Sequence, residues 1–446
     1  MEVINAFPGY EFVNGKNMFR GDDLGKGGYV YSEPGMYGNV ALLDVASMHP
    51  NSAINLNAFG EYTQNYKDIL NTRIAIKRGN FEEARHLFGG RLAKYLDDKD
   101  SAEALAQALK IAINSVYGLT SANFDNPFRD IRNKNNIVAL RGALFMRTLQ
   151  DEIKMRGFKV AHIKTDSIKI PDATPEIIKF TFEFAKKYGY EFEHEATYDR
   201  MCLVNDAVYI AKYASAEDCK EQYGYIPGDN KKKGGKWTAT GTQFQIPYVF
   251  KKLFSKEPIE FSDLCETKSV TSSLYLDMNE NMLMQDGDAT LNDLEKQLSK
   301  ATKNGEPEEV LDELKEMIAT YHNYRFIGKV GSFCPIKPGC GGGLLCREKD
   351  GKFYSATGAK GYRWLEAEMV ETLGKFDDID ERHFIEMADT AIDSIKKFGD
   401  YEWFVSDDPY EKPELIPGDY GLYPFYEEDL PFYYNPEQGS KDFNNI

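Results

Sequence analysis

The stretch FKVAHIKTDSIKIP, residues 158–171, constrains the fold most. Two short runs in which Ile alternates with polar residues are separated by too little chain for anything but a tight turn. The polypeptide must therefore reverse there and pair with itself antiparallel. A lone hairpin is marginal in water, so this one needs further strands and a covered face. The neighbouring sequence offers both. YGNVALLDVAS reads as a half-buried strand with Asp44 at its C-terminal end, and AVYIAKY as another strand. A helix is expected from Arg129 to Arg156, with Ile137, Leu140 and Leu144 on one face and Gly157 as its stop, and a second from Thr174 to Tyr188. The alternation indicates an α+β layer with one helical excursion between Gly60 and Gly118.

Within that excursion, Gln64 to Gly79 is helical, with Leu70 and Ile74 on one side and Arg73 and Lys77 sharing another. A second helix is expected over Phe81 to Leu96. A third, SAEALAQALKIAINSVYG, reads as starting at a serine N-cap, Ser101, and ending at Gly118. Downstream, GDNKKKGGKW (228–237) reads as a basic, glycine-rich connector. Asn292 to Ser299 and Glu308 to Tyr321 suggest a helical hairpin, two more helices are expected near Trp364 and Phe384, and the acidic C-terminal end is expected to be loosely ordered.

With 446 residues, 42% of them hydrophobic, the chain can build more than one core. The net charge of −17 argues against indiscriminate adhesion to nucleic acid or anionic membrane, while leaving room for a locally basic cleft. Six cysteines are too few for a disulfide scaffold. The start carries no leader pattern, and no run approaches the roughly 18 apolar residues of a membrane span. A reduced, cytoplasmic protein without a membrane partner is the expectation. Cys334, Cys340 and Cys346 recur every six residues, but neither a fourth ligand nor zinc-knuckle spacing accompanies them, and His322 is only a remote addition.

Asp44 and Asp166 each lie where a strand meets a turn, so one sheet could present both at the same edge. Two such carboxylates can hold two Mg²⁺ ions about 4 Å apart, with Mn²⁺ as an alternative, to activate a hydroxyl and stabilise a leaving pyrophosphate. Each aspartate alone fits a turn former or helix cap equally well. Lys110, Asn114 and Tyr117 fall at i, i+4 and i+7 and share a helix face, where a lysine can meet phosphates and the amide and ring can meet sugar and base. Arg73 and Lys77 add two cations. Each helix alone reads as a solvated face; both together, beside paired acids, do not.

These residues resemble the B-family DNA polymerases. DVASMHPNS is similar to motif A, D-x-x-S-L-Y-P-S; KIAINSVYG matches motif B, K-x-x-x-N-S-x-Y-G, at every fixed position; KTDS resembles motif C, D-T-D-S; and their order is the family's. The resemblance runs from about Gly27 to Tyr213. It implies a right-hand architecture with an antiparallel-sheet palm (1–60 and 121–245), short helical fingers (61–120), and a mainly helical thumb with a C-terminal elaboration (246–446). It further implies that Asp44 and Asp166 are the shared metal ligands, with the carbonyl of Val45 completing one set. The backbone after Ser47, at Met48 and His49, would cradle the triphosphate of a dNTP. Lys110 and Arg73, and less directly Lys77, would grip its phosphates, while Asn114 would support the nucleotide. Tyr117 and Gly118 would form the floor beneath the new base pair. Primer-template DNA would meet Tyr209, in a segment similar to the family's K-K-R-Y, and Gly27 and Gly28, in one similar to Y-x-G-G. Thr165, within KTDS, joins the expected DNA contacts.

The departures are specific. His49 stands where the family has the tyrosine that excludes a 2′-hydroxyl, which opens ribonucleotide use as a question. Asn205 to Val208 replace the lysines before Tyr209, and Gly25 replaces the template-segment tyrosine. Lys212, Lys231, Lys232, Lys233 and Lys236 are therefore candidate DNA contacts, with Trp237 beside the run. Lys164 occupies the place of another aspartate. In an extended strand it would share a face with Asp166, so it is expected to turn from the metals toward the primer phosphate or an acid such as Glu193. Only 43 residues precede Asp44, so no 3′→5′ exonuclease is expected in this chain, and a separate polypeptide would supply one. The D-x-E at Asp400 to Glu402 reads as incidental. The 66 residues from Asp44 to Lys110 leave room for compact fingers only, an economy that resembles a phage or viral polymerase. The expected function is template-directed DNA synthesis. A catalytically silent, DNA-binding scaffold and a ribonucleotide-tolerant polymerase are the alternatives.

Overall fold

The computed structural model describes residues 6–120, 122–126, 128–129, 136–278, 291–319 and 321–407. The chain divides into two compact units, one comprising the residues up to Gly241 together with those from Ser394 on, the other Thr242–Asp393. Residues 394–407 thus belong with the first unit rather than with the segment from 246.

In the first unit a small hairpin sheet is formed by β1 (Tyr10–Val13), β2 (Lys16–Phe19) and β3 (Asp22–Asp23). The main sheet takes β4 (Val30–Ser32), β5 (Gly35–Val45), β6 (His162–Lys164), β7 (Ser167–Pro171), β8 (Phe192–Leu203), β9 (Tyr209–Tyr213) and β10 (Trp237–Thr240). Among the described residues it is seven-stranded and antiparallel in the order β10-β9-β8-β5-β7-β6-β4, so β5, which carries Asp44, lies at its centre. The FKVAHIKTDSIKIP hairpin is β6-β7, as its alternation requires.

Helices α1 (Met48–Asn55), α2 (Thr63–Lys77), α3 (Phe81–His86), α4 (Lys99–Thr120), α5 (Ile137–Met155), α6 (Pro175–Lys187), α7 (Ala216–Tyr223) and α8 (Asn230–Lys233) belong to the unit. One face of the sheet, through Ala41, Leu43, Ile168 and Ile170, packs in the same core as α5, whose Leu144, Phe145 and Leu149 are fully buried. Phe145 stands among Phe184, Tyr188, Tyr190 and Phe192, ring centroids 4.6–6.3 Å away. The other face carries Val40, Leu42, Ala196, Tyr198, Ala211 and Tyr213. Because Leu42 opposes Lys169 and Asp44 opposes Ser167, Asp44 and Lys169 project from this second face.

Several helix limits differ from expectation. The helix from Phe81 stops at His86, because Phe88, Gly89 and Gly90 all take left-handed φ values of 53°, 62° and 72°. The two glycines tolerate that turn and only short 3₁₀ pieces follow. Helix α4 starts before Ser101, whose N–H donates to Asp98 Oδ1 at 2.8 Å, so Asp98 does the capping expected of the serine. Gly118 lies inside α4, which runs on to Thr120. Helix α5 begins at Ile137; 130–135 lie outside the described residues, and Gly157 (φ 82°) ends it as expected.

The basic segment at 228–237 is not a connector. It forms α8 and enters β10, with Asn230 buried and bonded to Thr197 and Ala214, and Trp237 packed on Phe404. The helix Tyr401–Val405 is fastened to β8 through Arg200, whose Nη1 donates to the carbonyls of Trp403, Phe404 and Ser406. Asp400 is its N-cap, accepting from the Trp403 N–H at 2.7 Å, which accounts for the D-x-E.

The second unit holds β11 (Glu266–Asp277), β12 (Tyr324–Ile336), β13 (Leu344–Lys349), β14 (Lys352–Ser355) and β15 (Arg363–Glu366), with α9 (Leu291–Asn304), α10 (Glu308–Ala319), α11 (Ala367–Leu373) and most of α12 (Arg382–Lys396). The α9-α10 hairpin matches expectation. The antiparallel sheet, five-stranded among the described residues in the order β14-β13-β11-β12-β15, does not match a mainly helical segment, and Trp364 is a strand residue. Its core gathers Leu274, Leu276, Phe333, Leu345 and Trp364. The tail from 408 lies outside the described residues. No described helix is long and apolar enough to cross a membrane.

Burial pushes His194 down to about 4, while its ring bonds to Tyr225 and Thr197 at 2.9 Å each. The unfolded chain takes up this proton near 6.5 and the fold only near 4, so the residue's stabilising contribution is lost as pH falls across that window. In urea unfolding, the stability difference between parent and His194→Gln should shrink by about 3 kcal/mol between pH 7 and pH 4. A difference that stays constant with pH would contradict the assignment.

Candidate functional site

The sheet brings Asp44 and Asp166 together. Asp44 opposes Ser167, the neighbour of Asp166, and the Val45 N–H donates to the Asp166 carbonyl at 2.8 Å. Lys164 pairs with Ser167, leaving Thr165 and Asp166 as a two-residue turn. Thr165 takes φ 57°, a strained conformation for a β-branched residue, and its N–H donates to the Tyr29 carbonyl at 2.9 Å. A Cβ on Gly28 would lie 2.5 Å from Thr165 Oγ1. The GGY segment therefore clamps the turn that presents Asp166, and Gly28 has a structural reason to be glycine; Gly27 has open space around it.

A third carboxylate joins by a bulge. Ala196 opposes Leu42 and His194 opposes Leu43, so β8 has one residue more than β5 there, Glu195. The extra residue brings Glu193 opposite Asp44 and onto its face. Burial, then Asp166, Glu195 and Glu193 in that order, push the Asp44 carboxyl up to about 7, against a smaller opposing pull from Lys77. Asp44 Oδ1 is buried without a hydrogen-bond partner. An orphaned, half-buried carboxylate oxygen among other acids is the environment a divalent cation relieves. No three His, Cys, Asp or Glu side chains among the described residues form a complete ligand group. Asp44 and Asp166 would thus hold an ion only together with the Val45 carbonyl, water or ligand oxygens, the open coordination that suits Mg²⁺.

Cations approach from α2. Lys77 Nζ lies 3.3 Å from Glu193, and Arg78 Nη2 lies 3.2 Å from Glu191 and 3.8 Å from Glu193. Lys77 is therefore tied to the sheet. Lys164 does not meet Glu193 as expected: it ends a strand that the turn separates from Asp166, its side chain is exposed, and it forms no ion pair among the described residues. Arg73 on α2 is partly exposed, and Lys110 and Asn114 on α4 are exposed. The two helices share a core of Ala75, Ile76, Ala102 and Leu109, and Tyr66 donates to the Ile113 carbonyl at 3.2 Å.

His49, in the first turn of α1, stacks on Tyr117 of α4, with ring centroids 4.9 Å apart and planes 10° from parallel. Tyr117 donates to Asn136 Oδ1 at 3.2 Å. His49 Nδ1 is buried without a partner, and burial lowers the ring's basicity. Ser47 (φ 55°) makes no side-chain cap, while Met48 is buried against Gly142, where a Cβ would lie 2.6 Å from its sulfur. Gly118 is exposed on α4.

Of the other expected contacts, Lys212 sits 3.3 Å from Asp407 and 5.7 Å from the Trp237 ring, and Lys233 sits 2.8 Å from Asp229. Both are engaged within the fold; Lys231, Lys232 and Lys236 are exposed. Tyr209 lies under a cation that sequence reasoning passed over. Lys169, 3% exposed, places Nζ 4.8 Å from the Tyr209 ring and 3.1 Å from His162 Nδ1. His162 Nε2–H donates to the Asp206 carbonyl at 3.1 Å, so Nδ1 accepts from Lys169. Burial pushes the Lys169 ammonium down, against the pull of Tyr209, Glu195 and Asp44. The alternation in SIKIP could have revealed Lys169, and that in EFEHE could have revealed Glu191 and Glu195 beside Glu193; the bulge could not be read.

No family profile matches the chain, and no curated protein matches it. Among solved structures it is similar to the family B DNA polymerase from the hyperthermophilic archaeon Pyrobaculum calidifontis, at 13% identity with a TM-score of 0.40. The match covers 82% of this chain and 46% of that one, so the chain spans about half the length of that structure. A superposition this loose does not establish a shared fold.

The raised Asp44 sets a sign. The fold holds the Asp44 proton up to about 7, so ionising it in place costs roughly 3–4 kcal/mol, and stability is lost as pH rises from about 4 to about 7. Cation binding requires the ionised form and is weakened by protons. In thermal melts, Mg²⁺ should raise Tm more at pH 8 than at pH 6. Metal-free Asp44→Asn should melt above the parent at pH 8 and lose the Mg²⁺ response; a response unchanged in the variant would count against the site.

Proposed function

We propose that the chain is a DNA-directed DNA polymerase of the B-family kind, extending a primer 3′-hydroxyl with dNTPs on a template, as in phage or viral replication. The observation that carries the reading is the meeting of Asp44 and Asp166 at one end of two paired strands, with an unpartnered buried oxygen on Asp44. The order and spacing of the three motifs support it independently.

In this reading Asp44, Asp166 and the Val45 carbonyl would hold two Mg²⁺ ions. When bound, these supply Lewis-acid activation of the primer hydroxyl and charge neutralisation of the leaving pyrophosphate. The chain's own groups do the rest. Lys110 and Arg73 attract the β and γ phosphates from α4 and α2. Lys77 leaves Glu193 or shares itself with the triphosphate. The amides at the start of α1 face the phosphates, and the His49–Tyr117 stack supports the sugar and base pair with Asn114 and Gly118 behind it. Tyr209, Gly27, Gly28, Lys164 and Thr165 meet primer and template, with Lys231, Lys232 and Lys236 reaching backbone phosphate.

Asp44→Asn and Asp166→Asn should each lower Mg²⁺-dependent primer extension by about 10³-fold or more while changing primer-template affinity by less than about threefold. Extension near the parental rate by either variant would overturn the reading. A parent protein that binds DNA and incorporates nothing with Mg²⁺ or Mn²⁺ would favour the silent scaffold instead.

One observation favours a second reading of substrate choice. The unpartnered His49 Nδ1 leaves a buried hydrogen-bonding nitrogen at the position where a tyrosine would exclude a 2′-hydroxyl. Ribonucleotides then gain a hydrogen bond instead of a clash. His49→Tyr should raise the dNTP-over-rNTP preference in single-nucleotide incorporation by about tenfold or more. An unchanged ratio assigns the histidine to stacking alone.

A further inference from the structure

The second unit holds a pair of thiols that the proposed chemistry does not use. Cys265 immediately precedes β11, and Cys334 lies within β12. Glu266 opposes Phe333 in the antiparallel register, so Cys265 and Cys334 are the next residues face to face. Directly opposed residues on antiparallel strands have Cα atoms about 4.5–5.5 Å apart, inside the roughly 4.4–6.8 Å that a disulfide spans. Their Sγ atoms are 3.2 Å apart, and both residues are free thiols.

We propose that Cys265 and Cys334 form a reversible oxidation site that closes to a disulfide by exchange with a low-molecular-weight disulfide of the glutathione type. Cys265 is the entry point because it is partly exposed, whereas Cys334 is fully buried among Ile336, Leu365, Val370 and Ile379. Cys265 S–H donates to the Phe261 carbonyl at 3.3 Å, which leaves the Cys334 S–H to face Cys265 Sγ; this contact lowers the Cys265 thiol below its usual value and raises that of Cys334. The remaining shifted thiols are poor nucleophiles: burial pushes Cys202 up to about 12, and Cys219 and Cys346 up to about 11.

The exchange balances in two steps. The Cys265 thiolate attacks one sulfur of the small disulfide, forming a mixed disulfide and releasing one small thiolate, which takes up the proton that Cys265 lost. Cys334 then gives its proton to solvent and attacks Cys265 Sγ, and the second small thiolate leaves and is protonated. Two protein thiols are oxidised by two electrons, and the small disulfide is reduced to two thiols. The bond would join positions 69 residues apart, a loop long enough for closure to stabilise the unit.

The test holds the full-length chain in buffers of graded oxidised-to-reduced glutathione, quenches with an alkylating agent, and maps linked and alkylated peptides. Cys265 and Cys334 should leave the alkylated pool together and appear linked, while Cys202 and Cys219 stay reduced. In Cys334→Ser, Cys265 should stop at the glutathione adduct and require about tenfold or more oxidant, because the neighbouring thiol no longer completes the exchange. The oxidised parent should melt roughly 5 °C or more above its reduced form, a shift that Cys265→Ala, checked for native circular dichroism, should lack. The proposal is overturned if the two residues do not link, or if they link no more often than pairs formed from the urea-unfolded chain.

Discussion

The first unit is organised around a repulsion. Asp44 sits half-buried beside Asp166, Glu193 and Glu195, and its carboxyl is pushed up to about 7 as a result. Like charges about 4 Å apart repel by roughly 4 kcal/mol at an effective dielectric near 20, so the acids can stay together only if rigid backbone holds them. The structure supplies that rigidity from three directions. Asp44 is fixed at the centre of the sheet, Asp166 is held by the Val45 N–H and a turn clamped under Gly28 and Tyr29, and Glu193 is aimed by the bulge at Glu195. Strain at Thr165 and an unsatisfied Asp44 oxygen are costs that packing elsewhere must cover. The buried α5 and its aromatic surroundings are where that packing lies.

The helices above the acids answer the charge without burying it. Lys77 and Arg78 sit at the end of α2, where cations also favour the helix dipole, and reach Glu193 and Glu191 as exposed pairs. Exposed pairs of this kind contribute little to stability, on the order of 0–1 kcal/mol, so they can be exchanged for a ligand's phosphates at small expense. The His49–Tyr117 stack joins α1 to α4 in the same neighbourhood. On the proposed reading, nucleotide binding would rearrange weak surface pairs while the acids stay where the sheet puts them.

The β6-β7 hairpin, the Asp44 strand and α2, α5 and α6 were legible because period-2 and period-3.6 patterns report which face each element buries. The pairing of Asp44 with the 166 turn followed from both lying at strand ends. What the sequence hid depends on single-residue events. Two consecutive glycines ended α3 early, Asp98 rather than Ser101 capped α4, and the extra residue at Glu195 moved Glu193 onto the acid face. Lys164 was set two positions along an extended strand from Asp166, whereas Thr165 turns left-handed between them; the register places Lys164 opposite Ser167, in the same row as Asp44, with two strands between it and Glu193. The five-stranded sheet of the second unit was missed because β12 mixes Gly, Lys and Ser with its apolar residues, which blurs the alternation.

Lys169 shows why the acid face cannot be understood from the acids alone. A lysine that is 3% exposed, with a histidine and a tyrosine ring for neighbours and no carboxylate at ion-pair distance among the described residues, is a poor contributor to stability. A methionine of similar reach would pack there without the desolvation cost. The lysine does, however, project from the same face as Asp44, and Asp44 and Glu195 pull its charge in the favourable direction. A cation held below the sheet surface cannot be screened by salt or displaced by ligand as Lys77 and Arg78 can. Its attraction to Asp44 and Glu195 therefore adds to the rigid backbone that holds the acids together.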